Sequence, residues 1–162
     1  MNRMSMKVVL GGSLLALTSA SALAATDTLL VTGNVLAVTT LSFSATGGAT
    51  FNITPGTAVV AANIATVNVN SNDALGYDIT LEGTHATSIL QDGGANTVAY
   101  TVKYNGGSAL NMTTTPVNVE TPSSPTAGSV TRTLTLDISG GASGGKPAGA
   151  YTDTITATIT GK

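Results

Sequence analysis

The chain contains no cysteine. That removes disulfides, thiol nucleophiles and thiolate metal sites together, so stability must come from packing and backbone hydrogen bonding. There is no tryptophan, and two Phe and four Tyr make up all the aromatics. A core must therefore be built from Val, Ile, Leu and Ala. Charge is scarce at 9% of residues, and no basic cluster exists to neutralise phosphates. Nucleic acid and anionic membrane surfaces are poor partners on that ground. His85 is the single histidine. The carboxylates Asp27, Asp73, Asp78, Glu82, Asp92, Glu120, Asp137 and Asp153 are scattered, with no pair in a glycosidase or aspartic-protease context. There is no heptad, no solenoid period and no proline-rich linker.

What is present begins at the N-terminus. Arg3 and Lys7 precede a short apolar run, Val8 to Leu17, followed by small residues from Ser19 to Ala24. Ala22-Leu23-Ala24 fits a signal-peptidase site, so residues 1–24 read as a signal peptide and the mature chain starts at Ala25. Ten apolar residues cannot span a membrane core that needs roughly 20, and no later run is long enough. The 138 residues from Ala25 onward suit one domain, 25–162. Without Arg3 and Lys7 the balance is 4 basic against 8 acidic residues, a net of −4.

Threonine, Val, Ile, Gly and Asn dominate, the composition of pleated strands and turns. Leu29, Val31, Gly33, Val35 and Ala37 share one phase, which Leu41 and Phe43 extend. Ile64 to Val69 leads into the polar corner Asn70-Ser71-Asn72-Asp73, after which Tyr77, Ile79 and Leu81 alternate with Asp78, Thr80 and Glu82. Val98, Tyr100, Val102 and Tyr104 form a further alternating set, closed by the hairpin signal Asn105-Gly106-Gly107. Val130, Leu134, Leu136 and Ile138 share a face with Arg132, against Thr131, Thr133, Thr135 and Asp137. Last, Tyr151, Ile155, Ala157 and Ile159 oppose Thr152, Thr154, Thr156, Thr158 and Thr160, a period of two over ten residues. About seven to nine strands and no convincing helix predict an all-β, immunoglobulin-like β-sandwich. Ser88 to Asp92 reads as one helical turn at most. The final strand is expected to be central, because it has no charge after Asp153 and no proline to protect an edge.

Candidate chemistry is thin. His85 in Gly83-Thr84-His85-Ala86 reads as a solvated loop residue, since a general base needs a positioned partner. Asn70-Ser71-Asn72-Asp73 offers oxygen ligands for calcium but lacks the loop and terminal Glu of an EF-hand, so it reads as a turn. Asn52-Ile53-Thr54 and Asn111-Met112-Thr113 match a glycosylation pattern that chance supplies in an Asn- and Thr-rich chain. Gly140-Gly141 to Gly144-Gly145 has no following Lys-Ser/Thr and reads as a flexible β–β connection. The inventory calls for no catalysis, cofactor or metal.

The closing Pro147-Ala148-Gly149-Ala150-Tyr151 to Thr160 resembles the last strand of spore coat protein U-type domains and of chaperone–usher fimbrial subunits, including the cysteine-free capsule-forming ones. The opening Leu29-x-Val31-x-Gly33-x-Val35 is similar to the N-terminal donor strand of chaperone–usher pilins. The first likeness covers about fourteen residues and the second about seven. It departs from many members in lacking a disulfide and in ending Gly161-Lys162 rather than on a penultimate aromatic.

The resemblance implies an incomplete sandwich completed by a neighbour's strand, covered in transit by a periplasmic chaperone and delivered through an outer-membrane usher. Residues 26–40 would be the donor segment, with Leu29, Val31, Val35 and Ala37 entering the neighbour's groove and Gly33 permitting close backbone approach. Repetition of that head-to-tail contact makes a filament at the cell surface, serving adhesion or biofilm. Two other readings stay open. Alternation alone does not separate this from a second reading, in which residues 28–38 are the first strand of a self-complete, monomeric coat or matrix protein and Gly33 is a bulge; a carbohydrate-binding sandwich is the weaker third, given so few aromatics.

Overall fold

The computed structural model describes residues 28–46, 49–87, 89–126 and 128–162. The expected signal peptide and its cleavage site lie outside them. The chain divides into two units, Met1–Asn34 and Val35–Lys162. Of the first, residues 28–34 are described; they are exposed and hold no helix or strand.

The second unit is all-β, with every strand pair antiparallel. Nine strands are described: β1 (Thr39–Ala45), β2 (Val59–Ser71), β3 (Tyr77–Gly83), β4 (Ile89–Gln91), β5 (Thr97–Ala99), β6 (Thr101–Tyr104), β7 (Val117–Glu120), β8 (Val130–Ile138) and β9 (Ile155–Gly161). One sheet runs β1-β2-β8-β6, a second β7-β3-β9, and β4-β5 is a separate ribbon. The two larger sheets share a core in which Val67, Val69, Val102, Leu134 and Ile138 meet Tyr77, Ile79 and Leu81. Alternation drives this directly. In β3 the odd-numbered residues are buried and the even ones half-buried, and in β8 the apolar set from Leu134 to Ile138 is buried.

The order has a familiar logic. Taking β1, β2, β3, β6, β8 and β9 as strands A to F reproduces the A-B-E-D sheet and the C-F pair of the immunoglobulin sandwich. A tyrosine corner supports the assignment: at the β8–β9 corner the Tyr151 hydroxyl donates to the Pro147 carbonyl at 2.9 Å. At the β2–β3 corner Gly76 has φ +91°, and a Cβ there would stand 2.0 Å from the Pro122 carbonyl oxygen, so only glycine fits.

Several expectations need correction. Residues 28–38 form no strand, since none of them joins a sheet of the described residues. Only Leu41 and Phe43 of that phase fall in a strand, β1. β9 is an edge strand, not a central one. Ile89–Gln91 is a strand rather than a helical turn; the helical turn is Gly140–Ser143, inside the glycine-rich connection, where the Ser139 hydroxyl caps it by accepting from Ala142 N–H at 3.2 Å. The run from Val98 to Tyr104 breaks at Tyr100, β5 pairing with β4 and β6 with β8. The Asn105-Gly106 turn forms with both φ angles positive, but the return strand shrinks to a bridge between Leu110 and Val102.

Candidate strand-accepting groove

The two margins of the sandwich are built differently. At one, Glu120 of β7 gathers three side chains from both sheets. Arg132 of β8 binds it in a bidentate fork, Nη2 to Oε1 at 2.7 Å and Nε to Oε2 at 3.1 Å. The hydroxyls of Tyr104 (β6, 2.6 Å) and Tyr77 (β3, 3.1 Å) donate to the same carboxylate. Burial by itself would raise the Glu120 pKa, yet Arg132 and Tyr104 outweigh it and hold the carboxyl below its usual range. Tyr104 is pushed far upward, first by burial and then by that carboxylate. This cluster laces β6, β8, β7 and β3 together.

The other margin carries β1 and β9, which run close to one another as the remaining edge strands. Between the sheets there, an apolar groove of about 880 Å³ opens. Its walls include Phe43 and Ala45 of β1, Ile64 of β2, Leu134 of β8 and Ile155 of β9, with Phe51, Leu90, Val98 and the Lys146–Asp153 segment closing one end.

Backbone hydrogen bonds show which groups these edges offer. Thr84 N–H donates to Thr154 O at 3.1 Å and Lys162 N–H to Gly76 O at 3.2 Å, so even-numbered β9 residues face β3. Backbone direction alternates along a strand, which leaves the amides and carbonyls of Ile155, Ala157 and Ile159 pointing away. In β1 the bonds of Val38 and Thr46 to β2 leave those of Leu41 and Phe43 unpaired in the same way. No described strand pairs with either outer edge. From Ile155 to Gly161 there is no charge, proline or bulge to discourage pairing.

The expected residues of the final strand alternate as read. Tyr151, Ile155, Ala157 and Ile159 are half-buried on the core side, Tyr151 and Ile155 lining the groove, while the intervening threonines are exposed. The expected donor residues are all exposed: Leu29 at 88%, Val31 at 82% and Val35 at 86%, with Gly33 and Ala37 exposed as well.

His85 departs from its expectation. It is half-buried, and its Nδ1 lies 3.0 Å from Asp153 Oδ1. The Asp153 carboxylate, 2% exposed, also accepts from the Tyr100 hydroxyl (2.5 Å) and from the amides of Thr154 (2.8 Å) and Thr84 (3.1 Å). Burial works to raise its pKa, and these bonds together lower it. Such saturation suits a post that ties the β3–β4 corner to the start of β9 at the groove end. The other carboxylates found in ion pairs, Asp137 with Lys103 (2.7 Å) and Asp78 with Lys162 (3.2 Å), lie on the surface. Among the described residues no three metal-ligating side chains converge, and no helix is long and apolar enough to cross a membrane.

Sequence reading missed the Glu120 cluster and the Asp153 post. Arg132 on an apolar face was the available signal for the first. No family model matches the chain, and no curated protein matches it.

Proposed function

We propose that the protein is a structural subunit of a bacterial surface fibre, related in kind to chaperone–usher pilins and spore coat U-type domains and polymerised head to tail by strand addition. One observation carries the reading: an unprotected β9 edge borders an open apolar groove, while the chain's own apolar segment 28–38 is exposed and outside any strand. A neighbour's segment would meet the outward backbone groups of Ile155, Ala157 and Ile159 with its own, and its alternate side chains would fill the groove. Burying Leu29, Val31 and Val35 is worth roughly 1.5–3 kcal/mol each, enough to hold a fibre contact. Such a groove needs cover before assembly, the task of a periplasmic chaperone, with an usher releasing subunits to the surface.

Size-exclusion chromatography and electron microscopy of the exported protein test this, each with and without a synthetic 26–40 peptide. The expected result is concentration-dependent polymers that the peptide caps. Removing 26–38 is expected to give a subunit that accepts peptide, with a raised Tm by linkage, but cannot donate. A full-length protein that stays monomeric and ignores the peptide supports the self-complete coat or matrix protein and overturns the fibre.

A further inference from the structure

The segment 28–38 is apolar on two sides, and strand addition uses only one of them. Its odd-numbered set, Leu29, Val31, Gly33, Val35 and Ala37, carries no polar side chain. The even-numbered set holds Leu30 and Leu36 with Thr32 and Asn34 between them. Leu30 is 88% exposed and Leu36 75%, as open to solvent as the residues expected to enter a groove. Side chains of a strand alternate between its faces, so one set goes into the neighbour and the other faces out. Chemistry decides which. A slip of one residue would carry the Thr32 hydroxyl and the Asn34 amide into an apolar groove, where an unpartnered polar group is costly. The odd set therefore goes in, and Leu30 and Leu36 are left on the outside.

An outward face has no need of leucines. Near-continuous apolar runs such as Leu29-Leu30-Val31 and Val35-Leu36-Ala37-Val38 belong to strands covered on both faces. The rows that would flank this outer face are uncharged. On the β9 side stand the exposed Thr156, Thr158 and Thr160. Across the groove, Thr40, Ser42 and Ser44 of β1 alternate with the inward Leu41 and Phe43. The carboxylates of β3, Asp78 and Glu82, lie one strand beyond β9, opposite Thr160 and Thr156, and Asp78 is paired with Lys162 at 3.2 Å. An apolar centre, a border of hydroxyls and charge only at the rim is the anatomy of a protein interface.

The occupant that fits is a second copy of the chain. In a head-to-tail fibre every subunit displays the same Leu30–Leu36 stripe, roughly 20 Å long, at a constant interval. A neighbouring fibre presents matching stripes at the same interval, and the hydroxyl rows put no like charges between them. Each contact is small, but contacts along a fibre are tied together, so their joint strength grows with fibre length.

We propose that Leu30 and Leu36 form a lateral contact surface through which fibres of this chain bind side by side. The inference rests on the fibre reading and adds a second self-interface, made by the opposite face of the donated segment.

The test compares the full-length exported protein with the double variant Leu30→Thr, Leu36→Thr and with Val31→Asp. Threonine keeps the strand preference while removing apolar surface, and Val31→Asp puts a charge on the odd set. All three positions are exposed outside any strand, so the domain keeps its own packing. Fibre length is read by electron microscopy, bundling by low-speed sedimentation at low and high salt, and foreign apolar contact by retention on alkyl-coated beads. The parent is expected to form bundled fibres that persist at high salt, because the contact carries no charge to be screened. The double variant should give fibres of parental length that stay single, with at least tenfold less material sedimenting. Val31→Asp should polymerise at least tenfold less. A double variant that bundles like the parent overturns the inference, as do parental bundles that dissolve in high salt. Parental fibres that stay single overturn it too; if the alkyl beads retain them, the stripe belongs to a foreign apolar surface instead. A double variant that cannot polymerise, or a Val31→Asp that polymerises normally, overturns it by showing that the even set enters the groove. A parent that stays monomeric ends the fibre reading and this inference with it.

Discussion

At the residue scale, the polar groups inside this sandwich act as fasteners. Glu120 shows this best. Its carboxyl sits below the ordinary range in the folded chain, whereas an unfolded glutamate titrates near ~4.3. A folded pKa below the unfolded one gives stability that is complete above the unfolded value and is lost as pH falls through the folded one. Glu120→Gln is therefore expected to cost about 2 kcal/mol at neutral pH, roughly 6 °C in Tm, by stranding Arg132 and weakening both tyrosine bonds. The gap between parent and variant should close as the pH drops below about 4. A gap that stays constant from pH 7 to pH 3 in thermal melts would show that the pair is not the source. Tyr151→Phe removes a single hydroxyl bond to Pro147 and should cost about 1 kcal/mol, visible as a lower urea midpoint with an unchanged slope. Arg132 and Tyr151 were both legible as members of an inward face. Their partners were not, because Glu120 and Pro147 are reached through corners whose geometry no periodicity encodes.

At the element scale, the alternating backbone of β9 lets folding and the proposed assembly be tested separately, residue by residue. Ala157 turns its N–H away from β3, so proline there removes no ladder bond, and edge strands tolerate it. Ala157→Pro should leave the fold intact, with Tm within a few degrees of the parent, while abolishing polymerisation and peptide uptake. Thr158 faces β3 as the partner of Thr80, and Thr158→Pro should instead unfold the domain. Equal damage from both substitutions, measured by circular dichroism and size exclusion, would mean that the outer edge has no role of its own. Ile155 lines the groove and is half-buried. Ile155→Asp should therefore weaken strand uptake at least tenfold, since the incoming strand would bury that charge, with a smaller effect on the empty domain. The alternation of β9 was plain in the sequence, and so was its lack of charge and proline. Those same features suggested a central strand, because edge strands are normally protected; here the edge is bare.

At the scale of the whole molecule, one margin is laced by the Glu120 cluster and the other is left between two unpaired edges. This asymmetry is what a subunit needs if it is to accept a strand without coming apart. On the proposed fibre reading, the donor side is expected to be equally specific. Gly33→Val should crowd the backbone approach in the neighbour's groove and reduce polymerisation, while the altered subunit still folds and still accepts wild-type peptide. Polymerisation at parental rates, followed by light scattering, would count against Gly33 lying close to another backbone.

The sequence alone determined the class and the faces. Period two decided which side chains of β3, β8 and β9 turn inward, Asn105-Gly106 decided a turn, and the absence of Cys, Trp and basic clusters decided what must hold the core. These are local properties, set by φ/ψ preference and by side chains pointing to alternate sides. Only the tertiary structure decided which strands are neighbours. Sheet order depends on pairings between residues far apart in the chain, Tyr77 with Gly161 or Val59 with Ile138, and on the fit of one sheet over the other. Thus it left β9 at an edge, turned Ser88–Asp92 from the expected helical turn toward a strand at Ile89–Gln91, and left residues 28–38 outside every described sheet. A strand exists only where another strand accepts its hydrogen bonds, and no local pattern specifies where that partner will be.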